Sequence, residues 1–247
     1  MNNRKKCLLC KKPMVRWVYG EPDFDALREQ LLNDEIVLGG CCLTDHSPKW
    51  ACIPCCISYH SDGIGYLDHN LIDTYENNDD KWFLLQGQEI DFNPKESKPY
   101  KLPEKIQVIC SNDFLKENNK KRSVGFYFQE GGYNSAQRNI SYLDGILVWN
   151  EYESLFDSLQ IQENQLPTHV YVLPPKVKKA VNHFITSSKW KKDYFQPTMD
   201  GTQWEFHRLV ETKIKKSYGS NDFPPVYEEL QILLNRILYG TNEFLKI

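Results

Sequence analysis

The chain predicts an α+β protein in two parts, on three observations. Two cysteine pairs, Cys7/Cys10 and Cys52/Cys55, bracket a segment with strand and helix patterns. The second half carries several short β-prone runs closed by turn residues. Two amphipathic stretches there open on double prolines, Pro174-Pro175 and Pro224-Pro225, which suit the first turn of a helix.

The cysteine pairs come first because they carry chemistry. Each is a CxxC knuckle, a tight turn that aims two sulfurs at one point. Two knuckles offer four thiolates, the ligand set of one structural Zn²⁺ in a zinc ribbon. The expected ligands are Cys7, Cys10, Cys52 and Cys55. A closed four-thiolate shell has no open position for water or substrate, so this metal holds structure and does no chemistry. Cys41 and Cys56 are alternative ligands, since each lies near a knuckle or a double glycine, and Cys110 reads as a packed apolar residue.

The segment between the knuckles needs structure of its own, because long structureless loops are uncommon in compact domains. Trp17-Val18-Tyr19 is β-prone and stops at Gly20. Asp23 after Pro22 can cap a helix in which Phe24, Leu27 and Leu31 recur at helical spacing. Ile36-Val37-Leu38 reads as a strand closed by Gly39-Gly40. The expected fold is therefore an N-terminal zinc ribbon with a strand-helix-strand insert, residues 1–62. Residues 63–101 read as a connecting segment, polar and acidic from Asp68 to Asp80, apolar at Trp82 to Leu85, and linker-like from Pro94 to Pro103.

Residues 102–247 read as an α+β domain with a mainly antiparallel sheet. Lys105 to Cys110 alternates and predicts a strand. Further strands are predicted at Gly125 to Phe128, Gly145 to Trp149 and Val170 to Leu173. A helix follows Pro174-Pro175, with Val177, Val181, Phe184 and Ile185 on one face. Asp200-Gly201 predicts a turn before Gln203 to Phe206, with Thr212 to Tyr218 as partner strand. Gly219-Ser220-Asn221 turns the chain, and a closing helix carries Tyr227, Leu230, Leu234 and Ile237 in one stripe.

Two parts of the chain resemble known modules. The strings Val18-Tyr19-Gly20-Glu21-Pro22, Glu35-Ile36-Val37-Leu38-Gly39-Gly40-Cys41 and Pro48-Lys49-Trp50-Ala51-Cys52-Ile53-Pro54-Cys55 resemble a zinc-ribbon module of uncharacterised bacterial proteins. That resemblance implies Cys7, Cys10, Cys52 and Cys55 as ligands, and no activity. Gly131-Gly132-Tyr133, Trp190, Tyr194, the run Asp200 to Glu205 and the run Tyr218 to Pro224 are similar to a recurring domain of uncharacterised bacterial proteins. Phe223 stands where that pattern has Tyr. This resemblance implies a domain and no catalytic set.

Several functions are weighed against these residues. Asp45-His46 between the knuckles mimics an HNH nuclease, yet no Asn and second His follow at the needed spacing, so a surface turn is expected. Asp200 with Glu211 and Lys213 mimics a D…ExK metal nuclease, a triplet frequent by chance in such a chain. No P-loop, dinucleotide fingerprint, HExxH or GxSxG is present. His169, His183 and His207 read as surface or satisfied core. Lys5, Lys6, Lys11, Lys12 and Arg16 beside Trp17 and Tyr19 form a nucleic-acid-binding alternative, as do Lys176, Lys178, Lys179, Lys189, Lys191 and Lys192. Against it, the net charge of −3 gives no global attraction to a polyanion. Tyr133, Trp204 and Asn221 are a possible recognition surface, with Trp204 as a core anchor the simpler reading.

The leading expectation is a non-enzymatic cytoplasmic zinc protein that binds a protein partner, such as the immunity partner of a bacterial toxin or a defence accessory protein. Cytoplasmic placement rests on CxxC pairs without an apolar leader, and no run reaches the length of a membrane span.

Overall fold

The structure is a computed structural model that describes residues 5–21, 23–77, 99–111, 113–119, 123–132, 136–152, 166–197 and 201–239. Trp82 to Leu85, Tyr133, Asp200 and residues 94–98 of the linker lie outside the described residues. The chain divides into two compact units, Met1–Pro103 and Glu104–Ile247. Among the described residues, no helix is long and apolar enough to cross a membrane.

In the first unit, β1 (Val15–Val18), α1 (Phe24–Leu32) and β2 (Ile36–Leu38) follow the first cysteine pair. β1 and β2 pair in parallel, which requires a crossover, and α1 is that crossover. Asp23 caps α1 by accepting hydrogen bonds from the amides of Asp25 and Ala26. β3 (Trp50–Cys52), β4 (Ile57–Tyr59) and β5 (Gly65–Leu67) continue the sheet antiparallel, in the order β5-β4-β3-β1-β2. α2 (His69–Asn77) follows, with Leu71 and Ile72 buried. Residues 65–77 thus belong to the N-terminal sheet and its helix, although their polarity reads as a connection. Ser58 explains part of the misfit: the polar Asp68 is buried because it accepts a 2.6 Å hydrogen bond from the Ser58 hydroxyl.

The second unit opens with α3 (Glu104–Cys110) and α4 (Phe114–Asn118). The expected strand at 105–110 is a helix. Ile106 and Ile109 are buried at i, i+3 spacing and Cys110 is exposed, so the helical period is the one the packing uses. The sheet that follows comprises β6 (Gly125–Gly131), β7 (Gln137–Leu143), β8 (Ile146–Tyr152), β9 (His169–Val172), β10 (Asp193–Phe195), β11 (Gln203–Val210) and β12 (Lys213–Ser220). Its order is β10-β12-β11-β6-β7-β8-β9, with only the β10–β12 pair parallel. α5 (Pro175–Ser187) lies between β9 and β10 in sequence, and α6 (Pro225–Tyr239) ends the described chain.

Strand register places Phe126, Phe128, Ile140, Tyr142, Trp149, Trp204 and Phe206 on one face, all buried. α5 and α6 cover it. Tyr142 donates a 2.6 Å hydrogen bond to Asn182 of α5, and the Tyr227 ring of α6 packs 5.4 Å from Trp204. Trp204 is core, as its strand position suggests, and its indole donates to the Asp222 carbonyl at 3.0 Å. It is therefore no part of a recognition surface.

The residue pattern around Trp204 has a steric cause. Gly219 pairs with Trp204 across β11 and β12, and a Cβ there would stand 2.0 Å from Trp204 Cε2. A Cβ on Gly201 would meet Asn221 Oδ1 at 1.6 Å. Asn221 itself has φ +54°, a conformation Asn tolerates. So Gly219 is a strand residue that admits the indole, and the chain turns at Asn221.

The other face of this sheet carries Tyr127, Asn139, Asn150, Glu205, His207 and Lys216 by the same register. α3 and α4 pack against β6, β7 and β8, away from α5 and α6.

Candidate metal centre

The four expected cysteines converge. Their Sγ atoms all lie within 4.8 Å of one another, and Cys10 Sγ and Cys52 Sγ are 3.5 Å apart. Four sulfurs at about 2.3 Å from one zinc form a tetrahedron with edges of about 3.8 Å, so the observed cluster needs adjustments of no more than about 1 Å to enclose the ion. All donors are soft thiols, and Cys7, Cys52 and Cys55 are buried while Cys10 is exposed.

Each knuckle is built locally. The first is the tip of a small hairpin: Lys6 bridges to Pro13, the Cys7 amide donates to the Lys12 carbonyl, and Lys11 closes the turn at φ +63°. The second begins where β3 ends. Cys52 leads into a 3₁₀ turn, Ile53–Cys55, with Pro54 supplying its fixed φ, and Cys56 at φ +47° redirects the chain into β4. Because β1 and β3 pair side by side, the two knuckles are brought to one end of the sheet.

A second layer of hydrogen bonds orients the sulfurs. The Leu9 amide donates to Cys7 Sγ at 3.4 Å. The Tyr59 hydroxyl lies 3.2 Å from Cys7 Sγ and accepts from the Leu8 amide at 3.1 Å. That amide bond leaves the phenolic proton for the sulfur. Hydrogen bonds from Cys52, Cys55 and Tyr59 hold the Cys7 thiol well below its ordinary pKa. The Cys52 thiol is pushed far up, by its hydrogen bonds to Cys55 and Cys7 and by burial. One thiolate is favoured by the cluster; further thiolates repel it and need a cation among them.

The alternative ligands stand apart. Cys56 is buried and points elsewhere, donating to the Ile53 and Leu71 carbonyls, and burial pushes its pKa up to about 12. Cys41 and Cys42 are exposed, with their sulfurs 3.8 Å from each other. Neither Cys41 nor Cys56 joins the four-sulfur group.

Other candidate residues separate in the fold. Asp45 and His46 are exposed in a turn closed by the Ser47 amide to the Thr44 carbonyl. Glu211, at φ +61°, sits in the tight turn between β11 and β12, while Gly201 lies beyond the other end of β11. Eight strand residues span roughly 25 Å, so Gly201 and Glu211 stand at opposite ends of β11; Asp200 itself lies outside the described residues. Around the first knuckle, Lys5 Nζ and the Arg16 guanidinium each stand 5.5 Å from the Trp50 ring. Trp17 donates to Ser58 Oγ at 3.1 Å and Tyr19 to the Pro48 carbonyl at 2.7 Å, so both rings are held by the fold.

One group of residues escapes sequence reasoning. His207 and Glu205 share a face of β11, and Glu205 Oε2 lies 3.1 Å from His207 Nε2. Hydrogen bonding and charge from His207 hold the Glu205 carboxyl below the usual range. The i, i+2 spacing is visible in the sequence, but no local signal says which strands flank it. No family model matches the chain, and neither a curated protein nor a solved structure matches it.

Proposed function

We propose that Cys7, Cys10, Cys52 and Cys55 hold one structural Zn²⁺ in a zinc ribbon, and that the protein is a non-enzymatic cytoplasmic binding protein for a protein partner. The observation that carries the metal reading is the convergence of four sulfurs within 4.8 Å, backed by the Leu9 amide and the Tyr59 hydroxyl on Cys7. When bound, zinc would neutralise thiolates that repel one another and tie the first hairpin to the β3–β4 knuckle. Four protein sulfurs complete its shell, so no catalytic position remains. Metal analysis of freshly purified protein should return about one zinc per chain; none would sink the reading.

Tyr59 offers a finer test. Tyr59→Phe removes the hydroxyl on Cys7 and leaves the ring. Orienting partners of ligands are commonly worth about 10–100-fold in metal affinity. A loss of that order in competition with a chromophoric chelator is expected, with the fold unchanged by circular dichroism.

The partner reading rests on the absence of a catalytic pattern in the sequence. Immunity to a toxin or an accessory role in defence are its most concrete forms. The nucleic-acid alternative is separable. Phosphate-driven binding weakens steeply with salt. No binding to single- or double-stranded oligonucleotides is expected at physiological salt, because the basic groups at the first knuckle face an acidic chain. A salt-sensitive micromolar complex, lost when Lys5, Lys6, Lys11 and Lys12 become Glu, would reverse that ranking.

A further inference from the structure

The second unit holds a cavity of about 960 Å³ that the sheet's second face floors. Ile109 and Cys110 of α3, Phe114 and Lys116 of α4 and Asp113 before it contribute to its wall, and Leu166, Pro167 and Thr168 contribute another part. Its volume falls at the upper end of small-molecule sites. Such a face under a helical layer is ordinarily apolar. Here the floor displays Tyr127, Asn139, Asn150, Glu205, His207 and Lys216.

We propose that this cavity binds a neutral, hydroxyl-rich small molecule of the saccharide class. Three observations lead there. First, the polar groups are placed and partly spent. Asn150 donates to Asn139 Oδ1 at 3.0 Å and accepts from the Thr168 amide at 3.2 Å, which fixes both amides in the floor. Second, His207 and Glu205 stand side by side on the floor, with Nε2 3.1 Å from Oε2, so an imidazole and a carboxylate are presented together. A ligand hydroxyl, which donates and accepts, can bond to such a pair.

Third, the lining carries no surplus of positive charge. Asp113 and Lys116 pair at 2.5 Å, and beside the remaining Lys216 stand two carboxylates, Glu151 and Glu205. A cavity built for phosphate would carry a surplus of positive charge. This one presents carboxylate acceptors, amides that both donate and accept, and two phenols, Tyr127 and Tyr152, whose rings suit the apolar face of a sugar. Hydroxyl groups, which donate and accept together, match that inventory. The site lies wholly within Glu104–Ile247 and does not depend on the cysteine centre.

The test uses the full-length, metal-loaded protein on a printed array of neutral oligosaccharides, with sialylated and sulfated glycans and mononucleotides as parallel arms. Binding to one neutral glycan class is expected, confirmed in solution by titration calorimetry with the free oligosaccharide. His207→Ala and Asn150→Ala should each weaken it at least tenfold, at unchanged thermal melting temperature. Glu205→Gln keeps the volume and should weaken it too, so the test survives if one variant folds poorly. No neutral glycan bound, affinity untouched by the cavity variants, or preference for nucleotides or anionic glycans would each overturn the proposal. Zinc content is assayed on the same samples, so a failure of the metal reading is seen separately.

Discussion

Cys52→Ser protein is expected to emerge from purification without zinc and with its first unit unfolded. Cys52 is fully buried at the end of β3, and its sulfur lies 3.5 Å from that of Cys10 across the two knuckles. A serine hydroxyl there cannot ionise to replace a thiolate. Zinc binding at such sites contributes about 10–16 kcal/mol at neutral pH, and that energy is folding energy where the ligands converge only in the folded chain. The core of the first unit is small: its strands β2 to β5 are three residues each. Short strands give little burial to offset the loss. Metal analysis together with hydrogen exchange is the check. Amides of β1, β3 and β4 should lose protection, while those of β6, β7 and β11 keep theirs. Cys56→Ser is the control, since Cys56 donates to carbonyls and lies outside the sulfur cluster; it should retain zinc. Loss of zinc from Cys56→Ser but not from Cys52→Ser would refute the assignment of ligands. Lowering the pH should release the metal as thiolates take up protons, because the ligating form is the deprotonated one.

Trp204→Ala should cost the second unit about 3–5 kcal/mol, the range for truncating a large buried aromatic. The indole is 3 % exposed and meets Trp190, Tyr194 and Tyr227 at centroid distances of 5.6, 5.6 and 5.4 Å. Truncation empties the point where β11, β10 and α6 meet and leaves the Asp222 carbonyl without its 3.0 Å donor. The partner position gives an independent reading. Gly219→Val introduces a branched side chain where even a Cβ would overlap the indole, so a loss of similar size is expected. The double variant Trp204→Ala/Gly219→Val should be better than the sum of the two losses, because the new side chain enters the vacated space. Urea denaturation followed by circular dichroism measures all three. Strict additivity would show that the glycine is not there for the tryptophan.

Much of the architecture was legible because its signals are local. Pro175 and Pro225 stand at the first position of α5 and α6 as double prolines suggest, and Val181, Ile185, Leu230, Leu234 and Ile237 are buried as their spacing suggests. The segment Glu104–Cys110 shows the limit. Its apolar residues fit a strand period and a helix period about equally over so short a window. The choice is made by contact: Ile106 and Ile109 face the sheet, and one turn of chain after Pro103 is enough to present them. Strand β7 carries little local signal because Gln137–Leu143 mixes Gln, Arg, Asn and Ser with apolar residues; Ile140 and Tyr142 face the core, while Asn139 and Ser141 face the cavity.

The same distinction divides the two sites. Four cysteines in two knuckles announce a metal centre by themselves, because each knuckle's geometry is made within four residues and sulfur has few other reasons to be paired so. Their sequence also determined the capped helix after Asp23, the proline-opened helices and the α+β class. What only the tertiary structure decided is which distant residues meet. Asn139, Asn150 and His207 lie on β7, β8 and β11, and they share a cavity because of strand order and register. A shift of one residue in any pairing would turn those side chains to the opposite face. Register is set by the whole buried face, Phe126 through Phe206, acting together. No short stretch of sequence contains that information, and so the cavity and the Glu205–His207 pair on its floor appear only once the sheet is assembled.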